Sequence, residues 1–164
     1  MKNIYIIGGT MGVGKTTACT VLKQKLERAV FLDGDWCWDA DPFQVTDETK
    51  EMALDNICYL LNNFIRCSAY DNIIFCWVLH EQSLIDTLLS RLNTCHCIPK
   101  TISLLCRADA LAERLQNDVA AGTRRPDIVT RSLERISLYD ALDTLKIDVS
   151  DISPEEAADR MMRL

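Results

Sequence analysis

Short, nearly unbroken apolar runs alternate along this chain with longer stretches in which apolar residues recur every three or four positions. The runs are Lys2–Ile7, Ala29–Asp33, Asn72–Leu79, Thr101–Cys106 and Leu145–Val149. They are rich in Ile, Val and Phe and carry little alternation, as expected of strands covered on both faces. The intervening stretches have helical spacing. Lys15–Arg28 places apolar residues at 18, 21, 22 and 26, and Thr46–Cys67 at 53, 54, 57, 58, 60, 61, 64 and 65. Glu81–Leu92, Asp109–Val119, Thr130–Leu142 and Ser153–Met162 complete the helical set. Thr46 is a candidate N-cap followed by the acids Asp47 and Glu48, and Ser153 precedes Pro154, a proline suited to the first helical position. Strands alternating with helices predict α/β architecture, a five-stranded parallel sheet with helices on both faces. Ligands of such sheets lie at the carboxyl ends of the strands, so the loops that follow strands are where chemistry is expected.

The first of those loops is the most informative. Gly9-Thr10-Met11-Gly12-Val13-Gly14-Lys15-Thr16 satisfies G-x-x-x-x-G-K-[ST], between a predicted strand and a predicted helix. Its glycines let backbone N–H groups converge on phosphates, and the helix N-terminus adds partial positive charge. Lys15 is expected to reach the β- and γ-phosphates, Thr16 to ligate Mg²⁺, and Thr17 to continue the nucleotide-binding surface. The loop specifies a nucleotide and leaves the reaction open, because ATPases, GTPases and kinases share it.

The second loop narrows the reaction. Phe31-Leu32-Asp33-Gly34-Asp35 ends the second strand with two carboxylates. Phosphoryl transfer needs a group that orients the acceptor hydroxyl and takes its proton. Asp35 is assigned that role, and Asp33 a place near the Mg²⁺. The competing interpretation is a solvated Asp-Gly turn.

At this point the sequence resembles the P-loop small-molecule kinases: shikimate kinase, adenylylsulfate kinase and gluconate kinase. Leu32-Asp33-Gly34-Asp35 is similar to the last two. Leu111–Leu115, Arg124-Arg125-Pro126, Glu134–Tyr139 and Ile147-Asp148-Val149 before Ser153–Glu156 are similar in order and spacing to shikimate kinase. The resemblance implies one kinase domain over 1–164 with a mobile lid at about 114–128. It implies Arg125 as the lid arginine that meets transition-state charge, and Arg114 at the lid's base against adenine. It also implies Arg135 facing the site, and Val149-Ser150-Asp151-Ile152 beside the base. One departure is informative. Shikimate kinase carries a glycine-rich turn after its third strand; here Trp77-Val78-Leu79-His80-Glu81 contains no glycine. Shikimate is therefore not the expected acceptor. Trp36, Trp38 and Phe43 are candidates for an aromatic acceptor wall, or for packing under the next helix, and His80 and Glu81 for its border.

Composition trims the alternatives. The 164 residues carry a net charge of −6, and 26% are charged. An acidic chain without a basic stripe lacks the footprint of a nucleic-acid binder. The apolar run near Met1 is too short for a signal peptide or a membrane span, so a cytoplasmic location is expected. Eight scattered cysteines then read as reduced thiols. In Cys95-His96-Cys97 the two thiols would point to opposite sides of an extended chain, which disfavours a metal site. No Asn-Lys-x-Asp guanine motif occurs, and no acidic residue ends the third apolar run as in motor ATPases. The expectation is an ATP- and Mg²⁺-dependent phosphotransferase, monomeric or homodimeric, acting on a small molecule or nucleotide and engaging neither nucleic acid nor membrane. The alternatives are a regulatory ATPase without an acceptor and an antibiotic-modifying phosphotransferase of the same fold.

Overall fold

A computed structural model describes all residues, 1–164. Five strands, β1 (Lys2–Gly8), β2 (Ala29–Asp33), β3 (Asn72–Cys76), β4 (Cys97–Leu105) and β5 (Leu145–Asp148), form one sheet in the order β2-β3-β1-β4-β5. Every pairing is parallel. Six helices connect them: α1 (Lys15–Lys25), α2 (Asp47–Arg66), α3 (Gln82–Arg91), α4 (Ala108–Ala120), α5 (Ile128–Leu133) and α6 (Pro154–Met162). None is long and apolar enough to cross a membrane.

The pleat of the sheet divides the core in two. Tyr5 and Ile7 of β1 face one cluster with Leu22 of α1, Leu111 and Leu115 of α4, and Met161 of α6. Ile4 and Ile6 face a second cluster with Ile57 and Leu61 of α2 and Ile85 and Leu88 of α3. Side chains that alternate faces along a strand make this partition inevitable once both faces are covered. The helix starts behave as their sequences direct. Thr46 forms a reciprocal capping box with Thr49, and Ser153 Oγ accepts from Glu156 N with Pro154 in the first turn.

Three boundaries differ from the sequence reading. β3 ends at Cys76, because beyond Trp77 the chain leaves the sheet. Leu79 is still buried, against the α2–α3 core, so apolar character there reflects burial without strand pairing. β4 begins at Cys97, four residues early. Pro99 in that stretch is tolerated because β5 pairs only with Ile102–Leu105, leaving the earlier half of β4 with one neighbour. The single helix expected over Thr130–Leu142 is instead α5 followed by a 3₁₀ turn, Ile136–Tyr139. Leu133 and Ile136 pack against the first core, and Tyr139 and Leu142 in the second, so the segment crosses from one core to the other at the 3₁₀ turn.

Candidate active site

The strand order reverses between β1 and β3, and their loops open a crevice at the carboxyl end of the sheet. The β1 loop turns sharply into α1. Gly14 caps the helix at φ +99°, and Gly12 sits at φ +83°, where an added Cβ would lie 2.4 Å from Leu115 Cδ2. Glycine is required there for conformation and for close packing on α4. The buried Thr10 hydroxyl donates to the Ser132 carbonyl of α5 at 3.1 Å, tying the loop to that helix.

A cavity of about 410 Å³ opens above this loop. Met11, Gly12, Gly14, Lys15, Thr16 and Thr17 form its floor. Asp33, Asp35, Trp77, Arg114 and Arg124 line its walls. Lys15 Nζ donates to the carbonyls of Gly9 at 2.8 Å and Thr10 at 3.1 Å. Burial lowers its pKa below the ordinary lysine value, opposed by the nearby Asp35 and Asp33. An ammonium that has lost hydration and holds only carbonyls is prepared for an anion.

Thr16 Oγ1 donates to Asp33 Oδ2 at 2.7 Å. Asp33 Oδ1 accepts from the backbone N–H of Asp35 at 3.1 Å, at the start of the 3₁₀ turn Gly34–Cys37. The hydroxyl and carboxylate that the sequence assigned to Mg²⁺ are thus already in contact. Two hard oxygen donors beside a phosphate cradle suit Mg²⁺, which keeps phosphate oxygens and water for its other positions. Asp35 lines the same cavity. Burial and the Asp33 charge raise its pKa, against the pull of Lys15, the Trp77 indole and Arg124. A carboxylate raised in this way is a better proton acceptor than an ordinary aspartate.

Trp77 is the residue the sequence reading undervalued. It occupies the place where a glycine turn was missing, and a Cβ on Gly34 would lie 2.5 Å from its Cγ. Gly34 has no positive φ, so it is glycine here to admit the indole. Below the cavity, Cys76 at the end of β3 is buried. A hydrogen bond with Cys19, and then burial, push its thiol pKa up, so it stays neutral.

A second cavity of about 240 Å³ adjoins the first, between the phosphate loop and the segment after β5. Val13, Leu104, Ile152 and Ala157 give it apolar walls, and Arg114 and Thr17 belong to both cavities. Arg114 donates to three carbonyls: Val13 at 3.3 Å, Val149 at 2.7 Å and Ser150 at 3.0 Å. It joins the phosphate loop to the segment after β5, which local sequence could not reveal.

The two arginines expected of a lid separate. Arg124 lines the large cavity and pairs with Asp118 of α4 at 3.0 Å. Arg125 is exposed, with its backbone carbonyl engaged by Ile128 N and its side chain unpaired. Arg135 borders the 3₁₀ turn near Tyr139 and lines neither cavity. His80 also lies outside both; its Nδ1 is 3.0 Å from the Val78 carbonyl and its Nε2 3.4 Å from Glu81. All eight cysteines are free, with Cys95 exposed and Cys97 buried.

Residues 6–131 match the AAA domain family. The chain belongs to that family. Its glycine-rich loop, the Asp33–Asp35 turn, Arg124 and Arg125 all fall within the matched span. No curated protein matches this AAA domain chain in sequence. Solved structures do share its fold. Gluconokinase from Sinorhizobium meliloti 1021 superposes with a TM-score of 0.72 at 16% identity, over 98% of this chain and 90% of that one. The tunicamycin resistance protein of Deinococcus radiodurans gives 0.71 at 18%, over 99% and 95%. Shikimate kinase from Aquifex aeolicus vf5 gives 0.60 at 17%, over 98% and 94%. The fold is that of the P-loop small-molecule kinases.

Proposed function

We propose that this AAA domain protein is an ATP-dependent phosphotransferase that moves the γ-phosphate of MgATP to a hydroxyl of a small molecule. The observation that carries this reading is that Asp35 and Lys15 line one cavity together with Thr16, Asp33 and Arg124. A nucleotide phosphate chain on the floor would draw Lys15 away from the Gly9 and Thr10 carbonyls. The smaller cavity, walled by Val13, Ile152 and Arg114, fits the base. Thr16 and Asp33 would hold Mg²⁺, which when bound supplies charge neutralisation at the β- and γ-oxygens.

An acceptor hydroxyl at Asp35 would attack the γ-phosphorus in line. Its oxygen forms the new P–O bond while the bond to the β–γ bridging oxygen breaks. The bonding electrons leave with ADP, and the hydroxyl proton passes to Asp35. Arg124, already in the wall, would stabilise charge on the transferring oxygens, and closure of residues 114–128 would bring in Arg125.

The test is ADP release from MgATP with and without acceptor panels, in wild type and Lys15→Ala. Release that depends on both acceptor and Lys15 supports the proposal. Release indifferent to every acceptor makes the protein an ATPase instead. Wild-type turnover in folded Lys15→Ala refutes phosphate-loop catalysis.

A further inference from the structure

Helix α4 ends beside the phosphate cavity in a turn built by its own last residues. Gly122 N donates to the Val119 carbonyl at 2.9 Å, and Thr123 N to the Asp118 carbonyl at 3.0 Å. This pair of bonds is the Schellman closure, and Gly122 supplies the left-handed φ of +74° that it uses. The closure turns the chain back, so that Thr123 and Arg124 return alongside the last turn of α4.

Asp118 receives both returning residues. Its carbonyl also accepts from Thr123 Oγ1 at 2.8 Å, and its carboxylate Oδ2 accepts from Arg124 Nε at 3.0 Å. Asp118 and Arg124 line the phosphate cavity together with Asp35 and Trp77. Trp36 and Trp38 do not reach it. They line a separate cavity of about 360 Å³ that shares no residue with the first, and Phe43 lies on Trp38 at 4.6 Å.

The pairing decides which part of Arg124 stays open. Asp118 holds Nε, and neither Nη1 nor Nη2 is engaged. The other arginine of the cavity is committed differently, since Arg114 spends both its Nη groups on carbonyls. Arg124 therefore keeps the outer fork of its guanidinium, the part that matches two oxygens of a phosphoryl group. A long side chain held at Nε has also given up most of its rotamer freedom in advance, which is the entropic cost of placing it. The pair is 38% and 43% exposed, and an ion pair so open to water contributes little to stability. Its effect is on where the guanidinium sits.

We propose that Asp118 is a positioning residue that holds Arg124 in the cavity wall with its Nη fork available to the transferring phosphoryl group. The arginine is then in place before the nucleotide arrives, whereas Arg125 has no such partner. This inference rests on the phosphotransferase reading and adds to it a residue that acts through another.

The experiment is calorimetric binding of MgADP with and without aluminium fluoride, a mimic of the phosphoryl group in transfer, alongside ADP release from MgATP. Wild type should bind MgADP more tightly when aluminium fluoride is present. Asp118→Ala should match wild type in MgADP affinity and in Tm, yet lose about tenfold to a hundredfold in that gain and in kcat. Asp118→Asn, whose amide oxygen can still accept from Nε, should lose less. In an Arg124→Ala background, Asp118→Ala should cost nothing further, because it works only through the arginine. An Asp118→Ala variant with the wild-type gain and kcat, or with higher values as for a released latch, overturns the positioning role and leaves phosphotransfer standing. Additive losses in the double variant do the same, by showing that Asp118 acts apart from Arg124. No gain with aluminium fluoride and no ADP release from wild type overturn the phosphotransferase reading and this inference with it.

Discussion

Replacing Gly34 with alanine adds one methyl group at the most crowded point of the site. That Cβ would lie 2.5 Å from Trp77 Cγ, 2.6 Å from Cδ1 and 3.0 Å from Cβ. Carbon atoms rest about 3.5–4.0 Å apart, so the indole must retreat by about 1 Å. Rotating the side chain cannot clear a contact that includes its Cβ. The backbone at residue 77 must move, and it is anchored by the bond from Trp77 N to the Ile7 carbonyl at 3.1 Å. Overpacking of this kind costs about 1–3 kcal/mol, and in a domain of this size each kcal/mol lowers Tm by about 2–4 °C. The larger effect is on rate. Asp35 is the next residue after Gly34 and shares a wall with Trp77. A displacement of about 1 Å at a reacting group costs about 10²-fold in transfer. The floor of the cavity is untouched, so MgATP affinity by calorimetry should be unchanged while kcat falls. Adding Trp77→Ala removes the collision, so the double variant should be no less stable than Trp77→Ala alone, a strong departure from additivity. Wild-type Tm and turnover in Gly34→Ala would refute the idea that this glycine exists to seat the indole.

Asp35→Asn should keep MgATP binding and lose about 10²–10⁴-fold in transfer. Because the folded pKa of Asp35 is raised, its stability contribution is present below the unfolded value and lost as pH rises through the folded one, so at neutral pH the Asn variant should melt at or above the wild-type temperature. By the same shift, wild-type kcat should fall with decreasing pH along an acid limb above the ordinary aspartate range, and a limb that persists in Asp35→Asn assigns it to another group. Arg124→Ala should lower kcat more than it weakens ATP binding, and Arg125→Ala should do so only if the lid closes; an Arg125 variant with wild-type kcat leaves the role to Arg124 alone. Arg114→Ala frees three carbonyls and unties the phosphate loop from the segment after β5, so the KM for ATP should rise at least tenfold; an unchanged KM would mean that Arg114 braces the fold without shaping the nucleotide site.

The sequence by itself determined the features that local chemistry controls. Gly12, Gly14, Lys15 and Thr16 dictate the phosphate loop because only that backbone path suits those residues between a strand and a helix. Continuous apolar runs specified a sheet buried on both faces, and Thr46 and Ser153 marked helix starts through their own side chains. The Asp33–Asp35 turn was legible for the same reason, since both carboxylates belong to one short segment. Tertiary structure decided whatever depends on residues distant in sequence. Pro99 hid the first half of β4, because only the sheet order reveals that one side of that strand is unpaired. Arg124 and Arg125 are neighbours of identical chemistry, and only the position of Asp118 and the path of α4 turn one to the cavity and leave the other in solvent. Arg114 acquires its role from carbonyls at Val13 and Val149, 101 and 35 residues away. Trp77 was read as a missing glycine, whereas the glycine that matters is Gly34, in the turn that follows the neighbouring strand β2 and packed against the indole. Short-range rules set backbone conformation, but which side chains share a cavity is settled by packing between strands that the chain visits far apart.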